Sequence, residues 1–220
     1  MIKMSKGAEP KILFDNSKKW TLQLLKHINS NTKPKASLAT KYRHKKIKEA
    51  LIAETHGKCV YCESKLLHIH HGDVEHIVPK SICSNKTFEW TNLTLACEIC
   101  NQNKSDNDPD LTAIINPYID PPEEHMIFSG PLIFTFTQKG QNTELLLDLN
   151  RTALLEKRKE KLCDAWNILR NVVDTTKPLN VRKIIFNNFI KNEASSNGEY
   201  SSMIKSIVEE FKKNIPQDVL

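Results

Sequence analysis

Two short cysteine motifs constrain this chain more than anything else in it. Cys59-Val-Tyr-Cys62 and Cys97-Glu-Ile-Cys100 are C-x-x-C turns with 34 residues between them. Each turn points two thiolates at one centre, and two turns complete a tetrahedral shell of sulfurs about 2.3 Å from a zinc ion. Such a shell is closed, so the metal holds structure and offers no position to a substrate. The alternatives are a redox pair or a disulfide, but two equal knuckles without a helix-opening thioredoxin pattern favour structural zinc. Cys83 and Cys163 have no partner motif and are expected to be small buried apolar residues.

Charge is unevenly distributed. Residues 1–58 carry fourteen Lys and Arg against four Asp and Glu, a net of +10. Residues 105–149 carry one lysine against eight acids, a net of −7. A basic arm beside a metal module suits a phosphate-backbone binder, with a solvated lysine-rich face as the ordinary alternative. No run of apolar residues approaches the length of a membrane span, and the opening Met-Ile-Lys-Met-Ser-Lys-Gly has no secretory pattern. We therefore expect no membrane association and a reducing cytoplasm, where cysteines serve as metal ligands or free thiols rather than disulfides.

Periodicity predicts helices over 11–29 (Leu13, Trp20, Leu24, Ile28) and 38–56, the latter stopped by Gly57. Leu66–Ile69 and Val74–Val78 are expected to pair as a hairpin across Gly72-Asp73. Leu132, Phe134 and Phe136 alternate, and the segment Lys139-Gly140-Gln141-Asn142 reads as a turn with Leu145–Leu149 returning as a strand. The last 70 or so residues read as three helices. The first covers 152–173, with Leu155, Leu162, Trp166, Leu169 and Val173 on one face. The second opens at Pro178 with Ile184, Ile185, Phe189 and Ile190, and the third carries Tyr200, Ile204, Ile207 and Phe211. The expected organisation is a basic helical arm (1–57), a zinc module (58–107), an acidic loop with a β hairpin (108–150) and a helical region (151–220).

Between the knuckles stand Val74-Glu75-His76-Ile77-Val78-Pro79-Lys80 and Trp90-Thr91-Asn92-Leu93, and the second knuckle continues into Asn101-Gln102-Asn103-Lys104. Phosphodiester hydrolysis needs a base for water, a group that orients the base, and a cation to stabilise the leaving oxygen. His76 suits the base, since imidazole titrates near neutrality. Asn92 suits the orienter, its amide oxygen accepting from the other ring nitrogen. Glu75 and Asn101 offer oxygen ligands to a hard divalent cation, Mg²⁺ or Mn²⁺. Lys41, Arg43, Lys45, Lys46 and Lys104 are candidates for nucleic-acid contact.

The pattern C-x-x-C, E-H-I-x-P, W-x-N-L, C-x-x-C-N-x-x-K resembles the zinc-bound variant of the HNH, or ββα-metal, nuclease superfamily. The resemblance implies an α+β fold: a zinc-stapled HNH module flanked by N- and C-terminal helices and a small β hairpin, with a short helix starting near Asn101. It implies His76 as general base, Asn92 as its positioner, and Glu75 and Asn101 as ligands of the catalytic ion. Glu75 stands where aspartate is frequent, and Asn101 where other members have histidine. The opening residues, the Cys59–Glu63 knuckle and Phe88–Leu93 are similar to the PtuB-type HNH subunits of Septu anti-phage systems, including those carried with retrons. That similarity implies a PtuA-like ATPase partner and, in retron settings, a reverse transcriptase with its DNA product. DNA is the favoured substrate, with an RNA such as tRNA left open.

Each residue has a plainer role beside this one. His76 alone would be a structural histidine, Asn92 a turn brace, Glu75 a solvent-facing strand residue, Asn101 a helix N-cap, and Lys104 an ornament of the short helix. His68, His70 and His71 read as exposed hairpin residues, and Phe88 and Trp90 as module core. The competing function is a non-catalytic zinc-module adaptor that binds nucleic acid without cutting it.

Overall fold

The computed structural model describes residues 1–66 and 72–219. They form two compact units, one of Lys3–Asp120 and one of Met1–Ile2 with Pro121–Leu220. The fold is α+β, as expected, with two small two-stranded antiparallel sheets among many helices.

In the Lys3–Asp120 unit, α1 spans Lys11–Asn29 and buries Leu13, Trp20 and Leu24. Ile28 is exposed, so the apolar stripe ends a turn early. Lys26 and His27 in the last turn complement the carbonyl end of the helix dipole. The single helix expected over 38–56 is broken into α2 (Ala36–Ala39), a 3-10 turn (Lys41–Arg43) and α3 (Lys45–Glu54). The break falls at His44, whose extended backbone starts a new helix and whose ring accepts the Lys46 N–H. Such a local cap competes with helix continuation. The short turn before it buries Tyr42. Gly57 closes α3 as predicted, its N–H bonding the Ile52 carbonyl at 2.8 Å.

Strand β1 (Asp73–His76) pairs antiparallel with β2 (Leu93–Ala96), setting Glu75 opposite Thr94 and His76 opposite Leu93. The strand expected at Leu66–Ile69 falls mostly on residues 67–71, which lie outside the described residues together with His68, His70 and His71. Helix α4 spans Glu98–Lys104, three residues ahead of the expected start, because Cys97 rather than Asn101 is its N-cap. The ββα order β1–β2–α4 is thus closed by the second knuckle. A short α5 (Pro109–Thr112) follows, capped by the Asp108 carboxylate with proline in its first turn. Leu13, Leu51, Phe88, Leu93 and Leu95 are fully buried beneath the site, each worth about 1.5–3 kcal/mol of burial.

In the second unit, β3 (Met126–Ser129) and β4 (Leu132–Thr135) form a hairpin turning at Gly130, whose φ of +58° disfavours a side chain. The strand expected at Leu145–Leu149 is instead part of helix α6 (Gln138–Leu147) and the residues just after it. Thr137 caps this helix, and Gly140 is there for proximity: a Cβ would lie 2.3 Å from the His125 carbonyl oxygen. A glycine needed for close approach mimics a turn signal in sequence. Helix α7 (Thr152–Val173) has the predicted bounds, but its buried face is Leu154, Arg158, Ala165, Leu169 and Val172. Leu155, Leu162, Trp166 and Val173 are only half-buried beside it. Arg158 causes the rotation: it is fully buried, donates to the Leu149 carbonyl at 2.8 Å, and lies 5.1 Å from the Phe128 ring centroid. Helix α8 (Leu179–Phe189), opened by Pro178, buries Phe186 and Phe189 and leaves Ile184 exposed. Helix α9 (Ser201–Phe211) completes the core with Met203, Ile204, Ile207 and Val208. Among the described residues no helix is long and apolar enough to cross a membrane.

Candidate active site

The four knuckle cysteines converge. Their sulfurs all lie within 4.8 Å of one another, and Cys62 and Cys97 are 3.9 Å apart. A tetrahedron of sulfurs around zinc has an edge of about 3.8 Å, from bond lengths of about 2.3 Å. The Val60 N–H bonds the Leu95 carbonyl at 3.0 Å, so the first knuckle is tied to β2. Cys97 accepts the Cys100 N–H at 3.4 Å, as a thiolate ligand at a helix start does. Burial pushes the Cys59 thiol up, while hydrogen bonds with Cys100 and Cys59 hold Cys62 well below the usual thiol range. The donor set, its burial and its spacing fit a zinc ion. Cys83 and Cys163 do not meet their expectation. Cys83 is half-buried with its thiol donating to Asn85 Oδ1 at 2.8 Å, and Cys163 is exposed.

His76 ends β1 and is buried. Its Nε2 sits 3.0 Å from the Thr87 carbonyl oxygen, which can only accept. That bond selects the Nε2–H tautomer and leaves Nδ1 as the acceptor. Burial pushes the imidazole down to about 4; the Thr87 bond opposes this, and the charges of Lys80, Lys104 and Arg43 add to it. The ring is therefore neutral at physiological pH, the state a general base requires.

The Asn92 side chain makes no hydrogen bond to the His76 ring. Its Oδ1 accepts the Val78 N–H at 2.8 Å, and its Nδ2 donates to the carbonyls of Val78 (3.0 Å) and Lys86 (3.2 Å). The expected bond from the ring to this amide is replaced by one to Thr87. Asn92 instead ties the segment after His76 to the loop that ends in Thr87, positioning the base one step removed.

Glu75 is also buried, so it is no solvent-facing strand residue. Its carboxylate meets the Lys104 ammonium at 2.9 Å, and Lys104 donates further to the His76 carbonyl at 3.0 Å. Burial raises the Glu75 carboxyl and Lys104 opposes that rise. Lys104 is fully buried, which removes it from the nucleic-acid contacts expected of it: its charge is spent inside the module. Asp73, two residues before Glu75 on the same strand face, accepts from Asn101 Nδ2 at 3.1 Å. In the sequence Asp73 reads only as a turn residue. The alternation Asp73-Val-Glu75 was the signal that it shares a face with Glu75.

A polar cavity of about 210 Å³ is lined by Asp73, Glu75, His76, Asn101, Arg43 and Lys80, among others. Of the basic candidates, Arg43 alone reaches it. Lys41 lies 4.8 Å from the Trp20 ring centroid, Lys45 pairs with Glu49 at 3.8 Å, and Lys46 is exposed on α3. Tyr42 also lines the cavity, edge-on to His76 with ring centroids 4.5 Å apart. Trp90 is core, as expected, and also a clasp. Its indole N–H donates to the Gly7 carbonyl at 2.8 Å, and the Lys6 ammonium lies 3.9 Å from its ring centroid while donating to the Leu93 carbonyl at 2.6 Å.

A ββα unit bearing a buried neutral histidine and a four-cysteine cluster is the architecture of an HNH module, and residues 59–107 match the family model for HNH endonuclease. The chain carries that domain and is similar over most of its length to two proteins named Septu protein PtuB. It is 28% identical to Septu protein PtuB of Bacillus thuringiensis, across 97% of this chain and 85% of that protein. It is 24% identical to Septu protein PtuB of Bacillus mycoides (strain KBAB4), across 96% and 90%.

Proposed function

We propose that the Lys3–Asp120 unit is a divalent-metal-dependent endonuclease site, and that the chain is the nuclease subunit of an anti-phage assembly held in check by an ATPase. One observation carries the chemistry: His76 is kept neutral by burial, with Nε2–H committed to Thr87 and Nδ1 left to take a proton from water beside a cavity holding both oxygen ligands and cations. The zinc of the knuckles holds the frame. Asp73, Glu75 and Asn101 are the donors for Mg²⁺ or Mn²⁺, a set of hard oxygens in one small polar cavity. Because Lys104 engages Glu75, we assign the larger share of that shell to Asp73 and Asn101. Bound there, the ion would stabilise charge on the leaving oxygen.

The partner assignment rests on similarity to Septu protein PtuB over most of the chain. DNA is the favoured substrate, with RNA the alternative. Plasmid nicking by the purified full chain, alone and with its co-purifying partner, tests the reading. Cleavage should require Mg²⁺ or Mn²⁺ and vanish in His76→Ala while binding persists. Cleavage by His76→Ala at the wild-type rate would sink the assignment, and binding without cleavage by the wild-type complex would favour the adaptor.

A further inference from the structure

Arg43 and Lys80 line the His76 cavity, whose acids are engaged with other groups: Asp73 accepts from Asn101, Glu75 pairs with Lys104 and Asp106 accepts from the Ser81 hydroxyl. Among the described residues neither Arg43 nor Lys80 makes an ion pair. Both sit against one aromatic ring: the Arg43 guanidinium carbon is 5.4 Å and the Lys80 ammonium 4.8 Å from the centroid of Tyr42. Lys80 also donates to the Tyr42 hydroxyl at 3.0 Å. The same ring packs edge-on to the base, with ring centroids 4.5 Å apart. Tyr42 is buried, and it comes from the 3-10 turn of the basic arm, outside the cysteine-bounded module.

Side chains such as Lys80 have several rotatable bonds and hold no fixed position on an open surface. A buried hydroxyl that accepts from the ammonium removes that freedom. Both cations line one cavity and neither is paired with an acid, so both keep donors to offer an anion that enters it. The only group the reaction brings to this cavity with that chemistry is a phosphodiester.

We infer that Tyr42 is a positioning residue of the nuclease site: it holds the Lys80 ammonium beside His76, so that Lys80 and Arg43 clamp the oxygens of the scissile phosphate while the same ring walls the base. The inference rests on the nuclease reading for its kinetic arm and is independent of it for its binding arm. It also gives the N-terminal arm a specific task, since the cysteine-bounded segment alone lacks Tyr42 and Arg43.

The test uses the full chain. In single-turnover cleavage, Lys80→Gln should slow the reaction strongly and Tyr42→Phe, which keeps the ring, about tenfold. Tyr42→Phe should add nothing in a Lys80→Gln background, because the hydroxyl acts only through Lys80. Lys80→Arg should recover part of the loss. In the binding arm, fluorescent DNA duplex and RNA hairpin are titrated against the His76→Ala protein at several salt concentrations. Lys80→Gln and Arg43→Gln should each lower the salt slope by about one phosphate contact, roughly 0.7–0.9. Losses from Tyr42→Phe and Lys80→Gln that multiply, or a salt slope unchanged by Lys80→Gln, overturn the clamp. A wild-type chain that cleaves neither alone nor with its co-purifying partner, while the slopes still fall, refutes the nuclease reading and leaves the Lys80–Arg43 phosphate clamp standing. Binding to neither nucleic acid overturns both.

Discussion

Asn92→Ala tests how this site is built. The side chain is 4% exposed and makes three hydrogen bonds, two to Val78 and one to the Lys86 carbonyl. Each is worth about 1 kcal/mol net. Val78 and Lys86 are only half-buried, so water satisfies part of what is lost, and the expected destabilisation is about 2–3 kcal/mol. Cleavage should fall as well, because the loop that Asn92 ties ends at the carbonyl that orients His76. Asn92→Asp separates this account from one in which residue 92 accepts directly from the imidazole. A carboxylate keeps an acceptor for the Val78 N–H, but it loses both donors and faces two carbonyl oxygens. It should therefore destabilise at least as much as alanine at neutral pH, and less so as the solution is acidified and the acid can donate. A direct acceptor to the ring would instead tolerate Asp well. Urea unfolding and nicking rates on the two variants decide the matter. Asn92→Asp near wild type in both, or Asn92→Ala within about 0.5 kcal/mol, would refute the reasoning.

Lys104→Met should cost about 3 kcal/mol or more by leaving Glu75 buried without its cation, and adding Glu75→Gln should restore part of it; a single variant within about 1 kcal/mol of wild type in chemical denaturation would contradict the buried pair. Zinc should co-purify with the chain, and Cys97→Ser should lose both zinc and the fold of the module, since metal binding here is folding free energy; a folded, zinc-free wild type would exclude the staple. Because burial holds His76 at about 4, the acid limb of the cleavage profile should lie below about pH 5 instead of near the unperturbed value of about 6.5. The same depression means the unfolded chain binds the proton first, so this group's contribution to stability is complete above about pH 6.5 and is lost as pH falls towards 4; a rate profile breaking near 6.5, or stability flat across that window, would show the ring to be solvated.

Much of this protein is legible locally. The C-x-x-C spacing names the metal cluster because two residues cannot separate a pair of thiolates far enough to serve two centres. Helices α1 and α7 show their bounds because apolar spacing, proline and glycine act within a few residues. The E-H-I-x-P frame names His76. What the sequence could not display is what each polar group meets across the fold. Asn92 was expected on the ring and holds two loops instead. Lys104 was expected at phosphate and is sealed against Glu75. Gly140 imitates a turn although a carbonyl from another segment requires it. Tyr42 gave no signal of its own: its neighbours Lys41 and Arg43 read as nucleic-acid contacts, and nothing along the chain joins the ring to His76. Spacing and propensity are properties of a few consecutive residues and can be read along the chain. Burial, tautomer and the choice of hydrogen-bond partner depend on which distant segments exclude water from a group, and only the tertiary structure decides that.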